Sequence, residues 1–270
     1  MHEFTDQLGR KIFLKEKPSR IISLVPSQTE LLYDLGLNDV VVGITKFCIH
    51  PAKWFKTKTR VGGTKKTDFA KIKGLNPDLI ICNKEENSRE EVEELSAHFN
   101  VWISDIKNFN DAKEMIRCVG EITGTEFKAN QIIQHVDENF SKLVKASMLS
   151  EKKVCYLIWY NPLMAVGEST FINSMLQLCG LNNCMSKGSR YMQLSEGELL
   201  SARPDIILLS SEPFPFRQQH FDYFRSLLPQ TQIYFVDGEM FSWYGSRMLL
   251  AVDYFQRLLN QMQDDFSGQH

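Results

Sequence analysis

Short runs that are almost wholly apolar recur along the chain. They alternate with stretches whose apolar residues fall three or four apart. The runs are Arg20 to Leu24, Val40 to Ile44, Leu79 to Cys82, Val101 to Ile103, Val154 to Trp159, Ile206 to Leu209 and Gln232 to Val236. A strand apolar on both faces is covered on both faces, as in a parallel sheet sandwiched by helices. The intervening stretches read as helices. Thr29 to Leu35 closes on Gly36, Asn110 to Thr123 on Gly124 and Thr170 to Cys179 on Gly180, the usual left-handed stops. Ser88-Arg89-Glu90-Glu91 and Ser195-Glu196-Gly197-Glu198 are capping boxes that open two more. Asp68 to Leu75 and Ser246 to about Gln263 complete the set, and the tail Asp264 to His270 is polar. Thr45 to Thr67 shows no period and reads as a long functional loop.

One pattern is written twice. Ile72 to Cys82 and Leu199 to Leu209 each read as a helix end, a Pro-Asp turn at Pro77-Asp78 or Pro204-Asp205, and an apolar strand. Proline ends the helix because it lacks an N–H and disfavours helix in the residue before it. Leu35-Gly36-Leu37-Asn38 is echoed by Cys179-Gly180-Leu181-Asn182. Between the halves, Glu126 to about Ser150 has neither Gly nor Pro and carries one apolar stripe, Ile132, Ile133, Val136, Phe140, Leu143 and Val144. The fold expected is α/β: two parallel-sheet lobes, N-terminal over 1–125 and C-terminal over 153–270, joined by a stiff connecting helix over 126–152. Clefts between such lobes are where small molecules bind.

Composition narrows the function. Of 270 residues, 43% are hydrophobic and 24% charged, ordinary for a globular protein. The formal net charge of -2 argues against a nucleic-acid binder. No apolar run nears the roughly 20 residues that span a bilayer. The first ten residues lack a signal-peptide core, so the chain as written is expected in the cytoplasm. The six cysteines form no CxxC pair and read as free thiols. A monomer is expected.

In open α/β sheets, ligands sit beyond the carboxyl ends of the strands. That rule selects Ser27 and Gln28; Phe47, Cys48 and His50; Lys84, Glu85 and Glu86; Trp159 and Tyr160; Glu212 and Phe214; and Glu239, Trp243, Tyr244 and Arg247. The loop holding Tyr191 is added as one that faces in. A set rich in aromatics with few charges suits a large, flat, partly apolar ligand. Cys48 and His50, at alternate positions, are open to three further readings: ordinary loop residues, ligands to a metal carried by the bound molecule, or, with Glu85 or Glu86, ligands to a metal held by the protein alone. Gly62 to Thr67 lacks the phosphate-loop spacing and reads as a tight turn. No G-x-S-x-G, H-E-x-x-H or G-x-G-x-x-G signature occurs. That favours a binder over an enzyme, and no catalytic cofactor or protein-held metal is expected.

Arg20 to Glu30, Val61 to Thr64, Leu75 to Ile80 and Ala165 to Leu181 resemble the cobalamin-binding proteins of ABC importers. These belong to the helical-backbone metal receptor group of class III substrate-binding proteins. Phe47-Cys48-Ile49-His50-Pro51, Asn83 to Asn87, Ser211-Glu212-Pro213 and Trp243 to Arg247 are similar to a subgroup. The resemblance implies two lobes bridged by one helix. It implies a metal-chelate ligand (cobalamin, haem or a ferric siderophore) held between the lobes without chemistry, and a permease partner. Where cobalamin binders of the group carry tryptophans, this chain has Thr64, Asn83 and Met240; where they carry docking glutamates, it has Ala70 and Gly197. The alternative reading is an intracellular enzyme or metallochaperone that handles a corrinoid or tetrapyrrole through Cys48 and His50.

Overall fold

The structure is a computed structural model that describes residues 1–144, 149–185 and 189–268. The chain divides into two compact units. The first holds Met1–Ile106, Asn110–Val136 and Tyr244–Arg247; the second holds Lys107–Phe109, Asp137–Trp243 and Met248–His270.

The first unit opens on a hairpin, β1 (His2–Thr5) and β2 (Lys11–Leu14). Its parallel sheet follows: β3 (Ile21–Ser23), β4 (Val41–Ile44), β5 (Thr59–Arg60), β6 (Leu79–Asn83) and β7 (Val101–Ser104), in the order β5-β4-β3-β6-β7. The helices are α1 (Pro26–Asp34), α2 (Ala52–Thr57), α3 (Phe69–Leu75), α4 (Arg89–Ser96), α5 (Phe109–Thr123) and α6 (Glu126–Ser141), of which Phe109 and the end of α6 from Asp137 belong to the second unit. Alternate strand residues Ile22, Leu24, Ile80, Cys82, Val101 and Ile103 pack with Ile72, Val92 and Leu95 from α3 and α4 into one core. Two-sided burial of the strands is the reason their sequence lacks alternation.

The second unit is built on β8 (Lys153–Trp159), β9 (Met164–Val166), β10 (Asn182–Asn183), β11 (Tyr191–Gln193), β12 (Ile206–Ser210) and β13 (Gln232–Val236). Its order is β11-β9-β8-β12-β13, with β10 pairing β8 as well. β8, β12 and β13 are parallel, and β9 is antiparallel to both β8 and β11. Its helices are α7 (Phe171–Leu178), α8 (Glu196–Ala202), α9 (Gln218–Leu227), α10 (Gly238–Ser242) and α11 (Met248–Ser267).

The repeated sequence has a repeated structural role. Asn76 and Arg203, after α3 and α8, adopt the left-handed conformation with φ of 43° and 46°. The Asp78 carboxylate accepts from the backbone N–H groups of Ser19 and Arg20 at 2.8 and 2.9 Å. The Asp205 carboxylate accepts from the Lys153 N–H at 2.7 Å. Each Pro-Asp turn thereby fixes the start of the neighbouring strand, β3 or β8. The glycine stops match too: Leu37 N–H reaches the Leu32 carbonyl and Leu181 N–H the Leu176 carbonyl, both six-residue closures around left-handed Gly36 and Gly180.

Three expectations need correction. The stretch Thr45 to Thr67 is not wholly irregular, since it contains α2 and β5. The helix from Glu126 ends at Ser141 rather than near Ser150. Lys142 and Leu143 tighten onto carbonyls three residues back, and the Val144 N–H donates to Gln256 of α11 at 3.0 Å. A tertiary hydrogen bond therefore ends a helix that carries no breaker; residues 145–148 of the expected span lie outside the described residues. The box at Ser88 is half formed: Ser88 accepts from the Glu91 N–H, while the Glu91 carboxylate turns to the Thr67 N–H at 2.6 Å.

Candidate functional site

In the first unit the chain leaves β4 through a tight turn. Thr45 Oγ1 accepts from the Phe47 N–H at 3.2 Å, and the Thr45 carbonyl from the Cys48 N–H at 3.2 Å. The turn throws the two side chains in opposite directions. Phe47 is 50% exposed. Its ring lies against Gly63, where an added Cβ would stand 3.3 Å from Phe47 Cε2. The Gly62–Thr67 bridge holds that backing turn, as the glycine pair predicts. Cys48 is 0% exposed, its sulfur 3.1 Å from both Thr29 Oγ1 and Thr45 Oγ1. Burial pushes its thiol pKa up, against the two threonine hydrogen bonds. This corrects the reading of Cys48 as a ligand-facing residue beside His50. Alternation holds for extended chain, and the turn breaks it. His50 is half-buried.

Asn83, at the end of β6, organises the next loop. Its amide nitrogen donates to Ser104 Oγ at 3.0 Å, and its amide oxygen accepts from the Glu85 and Glu86 N–H groups at 2.8 and 3.1 Å. Its own N–H donates to Asn87 Oδ1 at 2.8 Å. Lys84 pairs with Asp105 at 3.0 Å, and Lys65 Nζ donates to the Glu85 carbonyl. Glu86 keeps solvent-accessible area, yet the protein packed around its carboxyl raises its pKa; Lys65 opposes this and the Glu85 charge adds to it. Ser27 and Gln28 are buried in the first turn of α1, where the Gln28 amide donates to Ser104.

Tyr244 and Arg247 are buried and belong to this first unit. Gly245, at φ +110°, lets the chain run close to α1: a Cβ there would meet Leu31 Cβ and the Ser27 carbonyl at 3.4 Å. Arg247 joins Glu30 of α1 at two points, Nε to Oε2 at 2.9 Å and Nη2 to Oε1 at 2.8 Å. Burial nevertheless raises the Glu30 pKa; Arg247, and more weakly His50, pull it back. Glu30 is a site-neighbour that the sequence did not single out, because nothing local marks a carboxylate as the partner of a distant arginine.

In the second unit β8, β12 and β13 end side by side. Trp159 is 38% exposed and its indole N–H donates to the Asn161 carbonyl at 3.1 Å. Phe214 lies 5.6 Å from Trp159 and 6.2 Å from Tyr160, centroid to centroid, and Phe216 and His220 close the cluster behind it. Glu212 Oε1 accepts from Ser242 Oγ at 2.6 Å and from the Trp243 indole at 2.9 Å. That approach needs Gly238, where a Cβ would stand 2.6 Å from Glu212 Cγ. Trp243 is only 7% exposed and Glu239 is half-buried. Tyr191 opens β11 opposite Val166, two residues down from the level of Trp159 and Met164. By register it lies away from the edge that Trp159, Glu212, Phe214 and Glu239 share.

Among the described residues no group of three or more His, Cys, Asp or Glu side chains could hold a metal. Nor is any helix among them long and apolar enough to cross a membrane. Ala70 and Gly197, where the resemblance places docking glutamates in relatives, are exposed. Nearby, Asp68 caps α3 and pairs with Lys71. Glu198 closes its own capping box, and Glu196 accepts from the Tyr223 hydroxyl.

The Periplasmic binding protein family matches residues 21–224. The chain is 26% identical over 259 residues to the uncharacterized ABC transporter substrate-binding lipoprotein YvrC of Bacillus subtilis, covering 92% of this chain and 82% of that one. It is 26% identical over 265 residues to the vitamin B12-binding protein of Pectobacterium atrosepticum, covering 92% and 89%. The petrobactin-binding protein YclQ of Bacillus subtilis shares the fold, with a TM-score of 0.81 at 17% identity over 96% of this chain and 98% of that one. With parallel strand ends that present aromatic rings and with a family match spanning both units, this chain belongs to the periplasmic binding protein family.

Proposed function

We propose that this chain is the receptor of an ABC-type uptake system and binds a metal chelate, a cobalamin, haem or ferric siderophore, without converting it. The observation that carries this reading is the pair of rings left open at strand ends, Phe47 after β4 and Trp159 at the end of β8. Each is fixed from behind, by Gly63 for Phe47 and by Phe214 for Trp159. Aromatic walls with a few oriented polar groups suit a flat, apolar, metal-bearing molecule. The names of the relatives, which include binders of vitamin B12 and petrobactin, support the same class. In the first unit Glu85, Glu86 and His50 are the polar groups assigned to orientation; in the second they are Glu212 and Glu239.

The family supports a site of action outside the cytoplasmic membrane. Docking to a permease, if it uses a carboxylate of α8, falls to Glu196, since Glu198 is spent on its cap. Against the alternative, an enzyme or metallochaperone that handles the chelate through Cys48 and His50, stands the burial of the Cys48 side chain.

Absorbance titration with cyanocobalamin, haemin and a ferric hydroxamate tests the reading, alongside the spectrum of protein isolated from its own host. Saturable binding of one of them, with the chelate recovered unchanged, is expected. Saturation by none, or conversion of the bound chelate, overturns it.

A further inference from the structure

Two cysteines of the second unit face each other across neighbouring strands. β10 pairs with β8 in parallel, with Asn182 opposite Lys153 and Asn183 opposite Val154. The ladder continues one step beyond β10: the Cys184 N–H donates to the Val154 carbonyl at 2.9 Å. In a parallel ladder a residue whose N–H reaches the carbonyl of residue j−1 stands opposite residue j. Cys184 therefore stands opposite Cys155. Facing residues of adjacent strands point to the same side, and strand spacing puts them about 4.8 Å apart. A disulfide requires Cα atoms about 4.4–6.8 Å apart. Both side chains pack on the same core cluster.

We propose that Cys155 and Cys184 form a cross-strand dithiol that closes to an intramolecular disulfide by exchange with a small-molecule disulfide. The two thiols are unequal. Cys155 is fully buried in the middle of β8, whereas Cys184 is partly exposed in the turn after β10. The two thiols interact directly, which favours ionisation of the accessible Cys184 and disfavours it at Cys155, where burial adds; at Cys184 burial and Asp205 oppose, and Lys153 helps. Cys184 is therefore the attacking thiolate and Cys155 the resolving thiol. The Cys184 sulfur attacks one sulfur of the oxidant, and the other leaves as a thiolate that takes up a proton. The Cys155 sulfur then attacks Cys184 in the mixed disulfide. The second thiolate leaves and takes the Cys155 proton. The sum is two protein thiols oxidised and one external disulfide reduced to two thiols. The remaining cysteines compete poorly. Cys48, Cys82 and Cys179 are buried, and Cys118 is pushed up to about 12 by burial and by Glu114.

The test is incubation of the folded full-length chain with oxidised glutathione, read by thiol titration after denaturation, intact mass and peptide mapping. The expected product has lost two thiols and two hydrogen atoms, keeps no glutathione, and yields Cys155 linked to Cys184. Cys155→Ala should trap glutathione on Cys184. Should that variant not fold, one-to-one binding of phenylarsine oxide by the wild type, abolished by Cys184→Ala, reports the same dithiol. A wild type that holds a lasting glutathione on Cys184 beside a reduced Cys155 overturns the proposal. So does one whose two thiols stay unchanged, or one that fails to bind the arsenical.

Discussion

Arg247 and Glu30, 217 residues apart, meet in a two-point ion pair, with N–O distances of 2.9 and 2.8 Å. The contact places Tyr244–Arg247 with the N-terminal unit, although the chain on either side belongs to the second. The pair is nearly buried, with side-chain exposures of 8% and 15%. Breaking such a pair from either side leaves an uncompensated charge; Glu30 can discharge it by taking up a proton, whereas the Arg247 guanidinium stays charged.

The two sides should therefore behave differently. Arg247→Met is expected to cost about 3 kcal/mol at neutral pH, read by urea denaturation. Glu30→Gln should cost at least as much, because the Arg247 charge it strands cannot be neutralised by a proton. The pH dependence follows from the raised Glu30 pKa. A carboxyl raised on folding contributes stability that is full below its unfolded value and is lost as pH rises through its folded value. Removal of Arg247 takes away the two largest influences that hold it down, so the Arg247→Met penalty should shrink toward acid and grow above pH 4.5. A penalty independent of pH would refute this assignment.

Exposed and buried rings should separate in their effects. Phe47→Ala and Trp159→Ala are each expected to weaken chelate binding tenfold or more, since aromatic anchors carry about 2 kcal/mol, with little change in the unfolding midpoint. Trp243→Ala is expected to lower stability by about 3 kcal/mol, because its ring is buried and its indole holds Glu212. Paired calorimetric and thermal-melt measurements on the three variants would expose any reversal of that order.

Asn83 holds the Glu85–Glu86 turn by accepting from both backbone N–H groups. Asn83→Ala leaves those two donors without their acceptor, at a cost of about 1–3 kcal/mol, while the Ser104 hydroxyl keeps Gln28 and the Cys82 carbonyl. Hydrogen exchange should show lost protection at the Glu85 and Glu86 amides while α4 keeps its own. Unaltered exchange would mean that the turn stands without the asparagine.

Cys48→Ala should leave chelate affinity unchanged within twofold, and iodoacetamide should not modify Cys48 in the folded protein. Both follow from a sealed thiol whose pKa is raised. Loss of binding in the alanine variant would revive a direct role for the sulfur.

The parallel sheets were legible because strands buried on both faces must be continuously apolar, as at Leu79–Asn83 and Ile206–Ser210. The glycine stops and the Ser195 capping box were legible for the same reason, a local chemistry that admits few other conformations. What stayed hidden is held by tertiary contacts. α2 is fixed through Trp54, which donates to Asn38 at 2.9 Å and packs on Tyr33. α9 opens without a Ser, Thr, Asp or Asn cap, the Arg217 N–H donating instead to His220 Nδ1 at 2.9 Å. The β1–β2 hairpin is mostly exposed and is tied down by Gln7 and Arg10. For the candidate site, position at a strand end picked out Phe47, Trp159 and Glu212. It could not reveal that the Thr45 turn sends Cys48 inward, or that Arg247 meets Glu30.

The most direct measurement is native mass spectrometry of the full chain mixed with cyanocobalamin, haemin and a ferric hydroxamate, run beside a Phe47→Ala/Trp159→Ala double variant. The expected result is a one-to-one complex with one of the chelates, intact in the wild type and largely lost in the folded double variant. A wild type that forms no such complex, or a double variant that keeps it undiminished, would contradict the account.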